Sequence, residues 1–274
     1  MKNTILMGAA ALSLAVAASA KTTITVKGSD TMVIMAQRWA ETYMTQNSDV
    51  VIQVTGGGSG TGISALINGA TDICDASRPM KASERESLKS RYSSLGVEIK
   101  AAKDGLSVYL NDQNPVDALS LEQLLSIYTG ATTNWKDVGG PDAKIVVYGR
   151  ENNSGTYVFF RDNVLKGKDY TSTMQSLPGT AAVVNAVAKD KFGIGYGGAA
   201  YGKGIKFAKI KKTAESEGIA PSPETIKDGS YPLTRYLYMY LKNRPTGEIK
   251  KYIDWMLSPA GQAVVTQVGY FPVK

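Results

Sequence analysis

Three times along this sequence a short apolar run passes straight into a turn of glycine, serine and threonine, and then into an amphipathic helical pattern. The turns are GSDTM at 28–32, GGGSGTG at 56–62 and ENNSGTY at 151–157. Strand, tight turn and helix in repeated order define an α/β fold with largely parallel sheets. The β-branched runs TTITV at 22–26, VVIQV at 50–54 and KIVVY at 144–148 are the predicted strands. After the first turn Val33, Ala36, Trp39, Ala40, Tyr43 and Met44 recur at helical spacing, and after the second so do Ile63, Leu66, Ile67 and Ala70. Helices are also predicted around 246–256 and 259–268, and the segment 214–230, with Pro221, Pro223 and Gly229, reads as a loop or linker.

The chemistry of the turns is that of an anion site. A helix N-terminus presents unpaired N–H groups and the positive end of the helix dipole. Glycine lets the backbone approach a ligand closely, and serine or threonine adds a hydroxyl donor. Ordinary N-capping accounts for Asp30, Thr31, Ser59 or Ser154 taken singly. What argues for a shared site is that each turn follows a strand, because the ligand crevice of an open α/β sheet lies beyond the carboxyl ends of its strands. Arg78, just after the apolar stretch 72–76, and Arg150, two residues after the third strand, have the same placement. A guanidinium offers forked donors to a tetrahedral oxyanion. For Arg78 a pairing with a nearby carboxylate is an equal reading.

Composition removes most alternatives. Histidine is absent and Cys74 is the single cysteine. That eliminates a Ser-His-Asp triad, imidazole metal ligands and an internal disulfide, so neither metal nor cofactor is expected and Cys74 should be buried. GGGSGTG lacks the lysine of a nucleotide-binding P-loop. GIGYGG at 193–198 matches a dinucleotide fingerprint in letters, but Gly202 and Gly204 follow it instead of a sustained helix. The formal charge of +7 is mostly scattered. The cluster Lys203, Lys206, Lys209, Lys211 and Lys212 reads as a solvated face without interleaved aromatics, so no nucleic acid is expected. Residues 1–20 read as a signal peptide: Lys2, an apolar run over 5–18, and Ala18-Ser19-Ala20 as the cleavage site.

In order, and over nearly all of the chain after residue 20, the blocks KGSDTM, GGGSGTGI, TDICDASRPM, TTNWKDVGG, GRENNSGTYVFF, FGIGYGG, SYPLTRYLYMYLK and SPAGQAVVTQVGYFPV resemble the phosphate-binding proteins of bacterial phosphate ABC importers, which have the type II periplasmic binding fold. The resemblance implies two α/β lobes, each a mainly parallel sheet flanked by helices, with the ligand in the cleft between them. Lobe 1 would comprise 21–110 and 225–274, and lobe 2 would comprise 111–224. It implies a periplasmic monomer, cleaved after Ala20, that binds inorganic phosphate, has no enzymatic activity and docks on the membrane permease subunits. Carried over by motif, Thr31, Met32 (through its backbone N–H), Ser59, Arg78, Arg150, Ser154, Gly155 and Thr156 would hold the phosphate. Family members carry either aspartate or arginine at the position of Arg78. Asp30, or else Glu151, would accept the ligand's proton and so exclude sulfate. The alternatives are another tetrahedral oxyanion such as sulfate or molybdate and, in a different class, a secreted phosphatase.

Overall fold

The computed structural model describes residues 21–273; the predicted signal peptide lies outside them. The first lobe begins with β1 (Thr22–Gly28), α1 (Val33–Gln46), β2 (Val50–Thr55), α2 (Ser59–Asn68), β3 (Ile73–Ala76) and α3 (Ala82–Tyr92). β1 pairs in parallel with both β2 and β3, and each of these strands feeds a helix. Gly28 ends β1 with a φ of 149°, and a side chain there would run into the Asp75 carbonyl. Its absence lets Ser29 N–H donate to that carbonyl at 2.9 Å, which fixes where the first turn leaves the sheet.

β4 (Val97–Leu110) is the long strand on which the architecture turns. Residues 97–105 pair antiparallel with β10 (Thr234–Leu241) in the first sheet. Residues 106–110 pair antiparallel with β8 (Gly193–Gly198) in the second. The chain returns beside this crossing: Leu106 N–H donates to the Leu233 carbonyl at 3.0 Å, and Thr234 faces Gly105. The sheet thus changes at 105/106 and 233/234. The reason is that one unbroken strand serves both sheets.

The second lobe adds β5 (Ala118–Ser120), α4 (Leu121–Thr129), β6 (Val146–Arg150), α5 (Gly155–Asn163), β7 (Gln175–Leu177), α6 (Thr180–Lys189) and β9 (Lys206–Lys211). β6 pairs in parallel with β7 and β8. The segment expected as linker contains one short helix, α7 (Pro223–Lys227), capped by Ser222. The chain closes with α8 (Gly247–Met256) and α9 (Pro259–Gln267) on the first lobe. Strand order across both sheets is β2-β1-β3-β10-β4-β8-β6-β7. The GIGYGG motif is β8 itself, wholly buried, so its glycines make a flat surface for packing and not a phosphate turn. The lysine cluster lies on and around β9, where Lys209 pairs with Asp117 at 3.1 Å.

Each lobe has its own core. In the first, Trp39, Met35, Tyr252, Met256 and Val265 pack one sheet face, and Ile63, Leu66, Leu88 and Tyr240 pack the other. In the second, Leu124, Tyr128, Trp135 and Phe160 cover one face and Val183 and Val187 the other. Trp39 also donates its indole N–H to the Gly261 carbonyl at 2.7 Å, tying α1 to α9. No helix among the described residues is long and apolar enough to cross a membrane.

Candidate functional site

The three turns meet between the lobes. From the first lobe come Ser29 and Thr31 on the turn after β1, Ser59 at the start of α2, and Ser77 just past β3; from the second comes Thr156 in the first turn of α5. The Thr31 and Thr156 hydroxyls are 2.8 Å apart, and Ser77 lies 3.4 Å from both Thr156 and Ser59. Ser29 donates to the Ser77 hydroxyl at 3.0 Å. All five side chains are buried. Such a set is suited to an oxyanion because each hydroxyl can either donate or accept, and the cluster can reorient its protons around a ligand.

Gly155 explains how closely the helix approaches. A Cβ there would collide with the Ser59 and Ser77 hydroxyls, so glycine lets α5 enter against lobe 1. Ser154 is the α5 N-cap, its oxygen accepting from Thr156 N–H at 3.2 Å and Tyr157 N–H at 3.3 Å. N-capping and site membership are compatible here, because the Ser154 O–H is still available to donate.

Arg150 ends β6 and is buried. Its Nη1 donates to Thr180 at 2.9 Å and its Nη2 to Asp30 Oδ2 across the cleft at 2.5 Å. Its Nε is buried with no partner among the described residues. The other Asp30 oxygen accepts from Gly57 N–H at 2.7 Å. Asp30, the expected acceptor of a ligand proton, thus bonds both Arg150 and the second turn. Glu151, the other candidate acceptor, is exposed.

Two expected donors are engaged elsewhere. Met32 N–H donates to the Ser29 carbonyl at 2.9 Å, closing its own turn, and its side chain is in the lobe 1 core. Arg78 forms a fork with Glu84, at 2.8 and 2.6 Å, and donates to the Pro79 carbonyl. It makes no hydrogen bond to the hydroxyl cluster, although its Nε is buried without a partner among the described residues. Burial alone would raise the Glu84 carboxyl, but its bonds from Arg78 and Lys81 N–H outweigh that and hold it below the usual carboxylate value.

Ser77, Ser29, Arg235 and Asp104 are the cleft residues that the sequence reading missed. Arg235 on β10 donates to Thr156 Oγ1 at 3.1 Å and to the Ser77 carbonyl at 3.2 Å. Its signal was present: a lone arginine inside the apolar run YPLTRYLYMYL stays buried only with partners. The closed cleft is also latched at its rim. Gly60 N–H donates to the Asn153 carbonyl at 2.9 Å, and Tyr201 donates to the Asp30 carbonyl at 2.6 Å. The Tyr201 hydroxyl is pushed up to about 12 by burial and by the Asp30 charge.

Two lobes sharing a strand, closed over buried hydroxyls and a guanidinium, define a binding protein whose ligand is an anion. The PBP superfamily domain matches residues 15–260. The phosphate-binding protein PstS of Pseudomonas aeruginosa is 32% identical over 267 residues, spanning 90% of this chain and 81% of the relative. That of Staphylococcus aureus is 33% identical over 253 residues, spanning 89% and 76%. The crystal structure of a phosphate ABC transporter substrate-binding protein from Clostridium perfringens, with bound phosphate, matches at a TM-score of 0.84 and 30% identity, over 92% of this chain and all of that one. The chain belongs to the family of the phosphate-binding proteins PstS.

Proposed function

We propose that this protein captures inorganic phosphate between its lobes and delivers it to the membrane subunits of an ABC importer, working as a monomer on the outer side of the cytoplasmic membrane. The observation that carries the reading is the convergence of the Thr31, Ser59, Ser77 and Thr156 hydroxyls, from both lobes, on the N-terminal turns of α2 and α5. A buried oxyanion needs many donors, because an unpaired charge in such a place is very costly. Those hydroxyls, the Ser154 O–H and the unpartnered Nε of Arg150 meet that need. The names of the relatives, and the phosphate in the Clostridium structure, support this choice of anion over sulfate or molybdate.

Isothermal titration of phosphate-stripped protein tests the reading. Phosphate should bind at about micromolar affinity or tighter, with sulfate and molybdate much weaker. Tighter binding of either of those anions would reassign the ligand. Turnover of a chromogenic phosphate ester would move the protein into the phosphatase class.

A further inference from the structure

Arg235 and Asp104 face one another on β10 and β4, where β4 passes from one sheet to the other. Asp104 Oδ2 accepts from Arg235 Nε at 2.9 Å and Nη2 at 2.8 Å, and Asp104 Oδ1 accepts from Ala199 N–H of the second lobe at 3.1 Å. The two side chains are 0% and 3% exposed. An ion pair so thoroughly desolvated adds little to stability over a well-packed apolar pair. What it can do, and an apolar pair cannot, is hold a charged guanidinium rigidly with one edge turned to the cleft.

That edge is at the hydroxyl cluster. Nη2 reaches Thr156 Oγ1, the same oxygen that lies 2.8 Å from Thr31 and 3.4 Å from Ser77. The guanidinium carbon lies over the Phe159 ring, 5.2 Å from its centroid, within range of a cation–π attraction. Of five N–H groups, Asp104 takes two and the Ser77 carbonyl and Thr156 one each, leaving one on Nη1. We infer that Arg235 is a phosphate-binding residue, a second guanidinium entering from lobe 1 while Arg150 enters from lobe 2, and that Asp104 is its positioning residue. The inference rests on the phosphate reading of the cleft.

The test is phosphate titration of the stripped parent, Arg235→Lys, Arg235→Met, Asp104→Asn and the double variant Asp104→Asn/Arg235→Met, each with a ligand-free melting scan. Arg235→Met should lose about a hundredfold in affinity, the scale for removing a desolvated, hydrogen-bonded charge. Arg235→Lys should recover little, because a point charge does not reproduce the planar fork. The double variant strands no buried carboxylate, so it should melt near the parent yet bind as weakly as Arg235→Met. Asp104→Asn should fall between. A double variant that binds phosphate within about threefold of the parent overturns the inference and leaves the pair purely structural. A parent that binds only sulfate or molybdate overturns the phosphate reading alone, and the same variants are then titrated with that anion. A parent that binds none of the three overturns both.

Discussion

Asp75 is the carboxyl with the least suitable surroundings. It lies on β3 next to Cys74, fully within the first lobe, and its Oδ1 has no partner among the described residues. The nearby Tyr252 hydroxyl is likewise buried and unpartnered. Burial pushes the Asp75 carboxyl from 3.8 up to about 8. Between those values the unfolded chain has released the proton and the folded one has kept it, so stability falls as pH rises through that window. Asp75→Asn removes the titration. Melting scans should show the variant gaining on the parent from about pH 5 to about pH 8, by at least ~5 °C. A gap that stays constant with pH would exclude this account. Asp30 acts through Arg150, so Asp30→Asn should weaken phosphate and sulfate by a similar factor, about tenfold. A change confined to phosphate would instead mark Asp30 as the acceptor of the ligand's proton.

The first turn of α5 is the element on which closure depends. Gly155→Ala would push a methyl group into Ser59 and Ser77 of the opposite lobe. Because those contacts form only when the lobes meet, phosphate affinity should fall more than about tenfold while the ligand-free melting temperature moves by less than ~3 °C. Titration and a melting scan of one preparation decide it. This element was legible from sequence because its signals are local: strand, hydroxyl and glycine turn, helix. Ser154, Gly155 and Thr156 are neighbours in the chain and remain neighbours in the cleft. The Arg235–Asp104 pair was not legible, since it joins residues 131 positions apart and depends on the register of β10 against β4. Arg78 was readable only as two alternatives, and the Glu84 that engages it stands one turn into α3, where its first attraction is to its own helix start. The glycines of 193–198 form a buried strand that nothing local in the sequence marks, because glycine carries no side chain to show the alternation of a strand.

Across the whole molecule, Cys74 is a built-in reporter. It is 0% exposed and free, and burial pushes its thiol well above the ordinary value, so the native protein should be inert to thiol reagents. Labelling should therefore proceed only through opening of the first lobe. Saturating phosphate binds the native state and should slow the labelling at least about tenfold when reclosing outpaces modification. Labelling at the same rate with and without phosphate would mean that lobe 1 opens independently of the cleft.

The continuous β4 strand has a mechanical consequence. A joint made from a loose linker would swing freely, and emptying the cleft would then cost only the contacts across it. Here the joint is a hydrogen-bonded ribbon, β4 beside the returning chain at Leu233 and Thr234, and any opening has to bend or twist it. A change of lobe angle in either direction is thus elastic, stored as bending or twisting of the ribbon instead of released as the free swing of a loose linker.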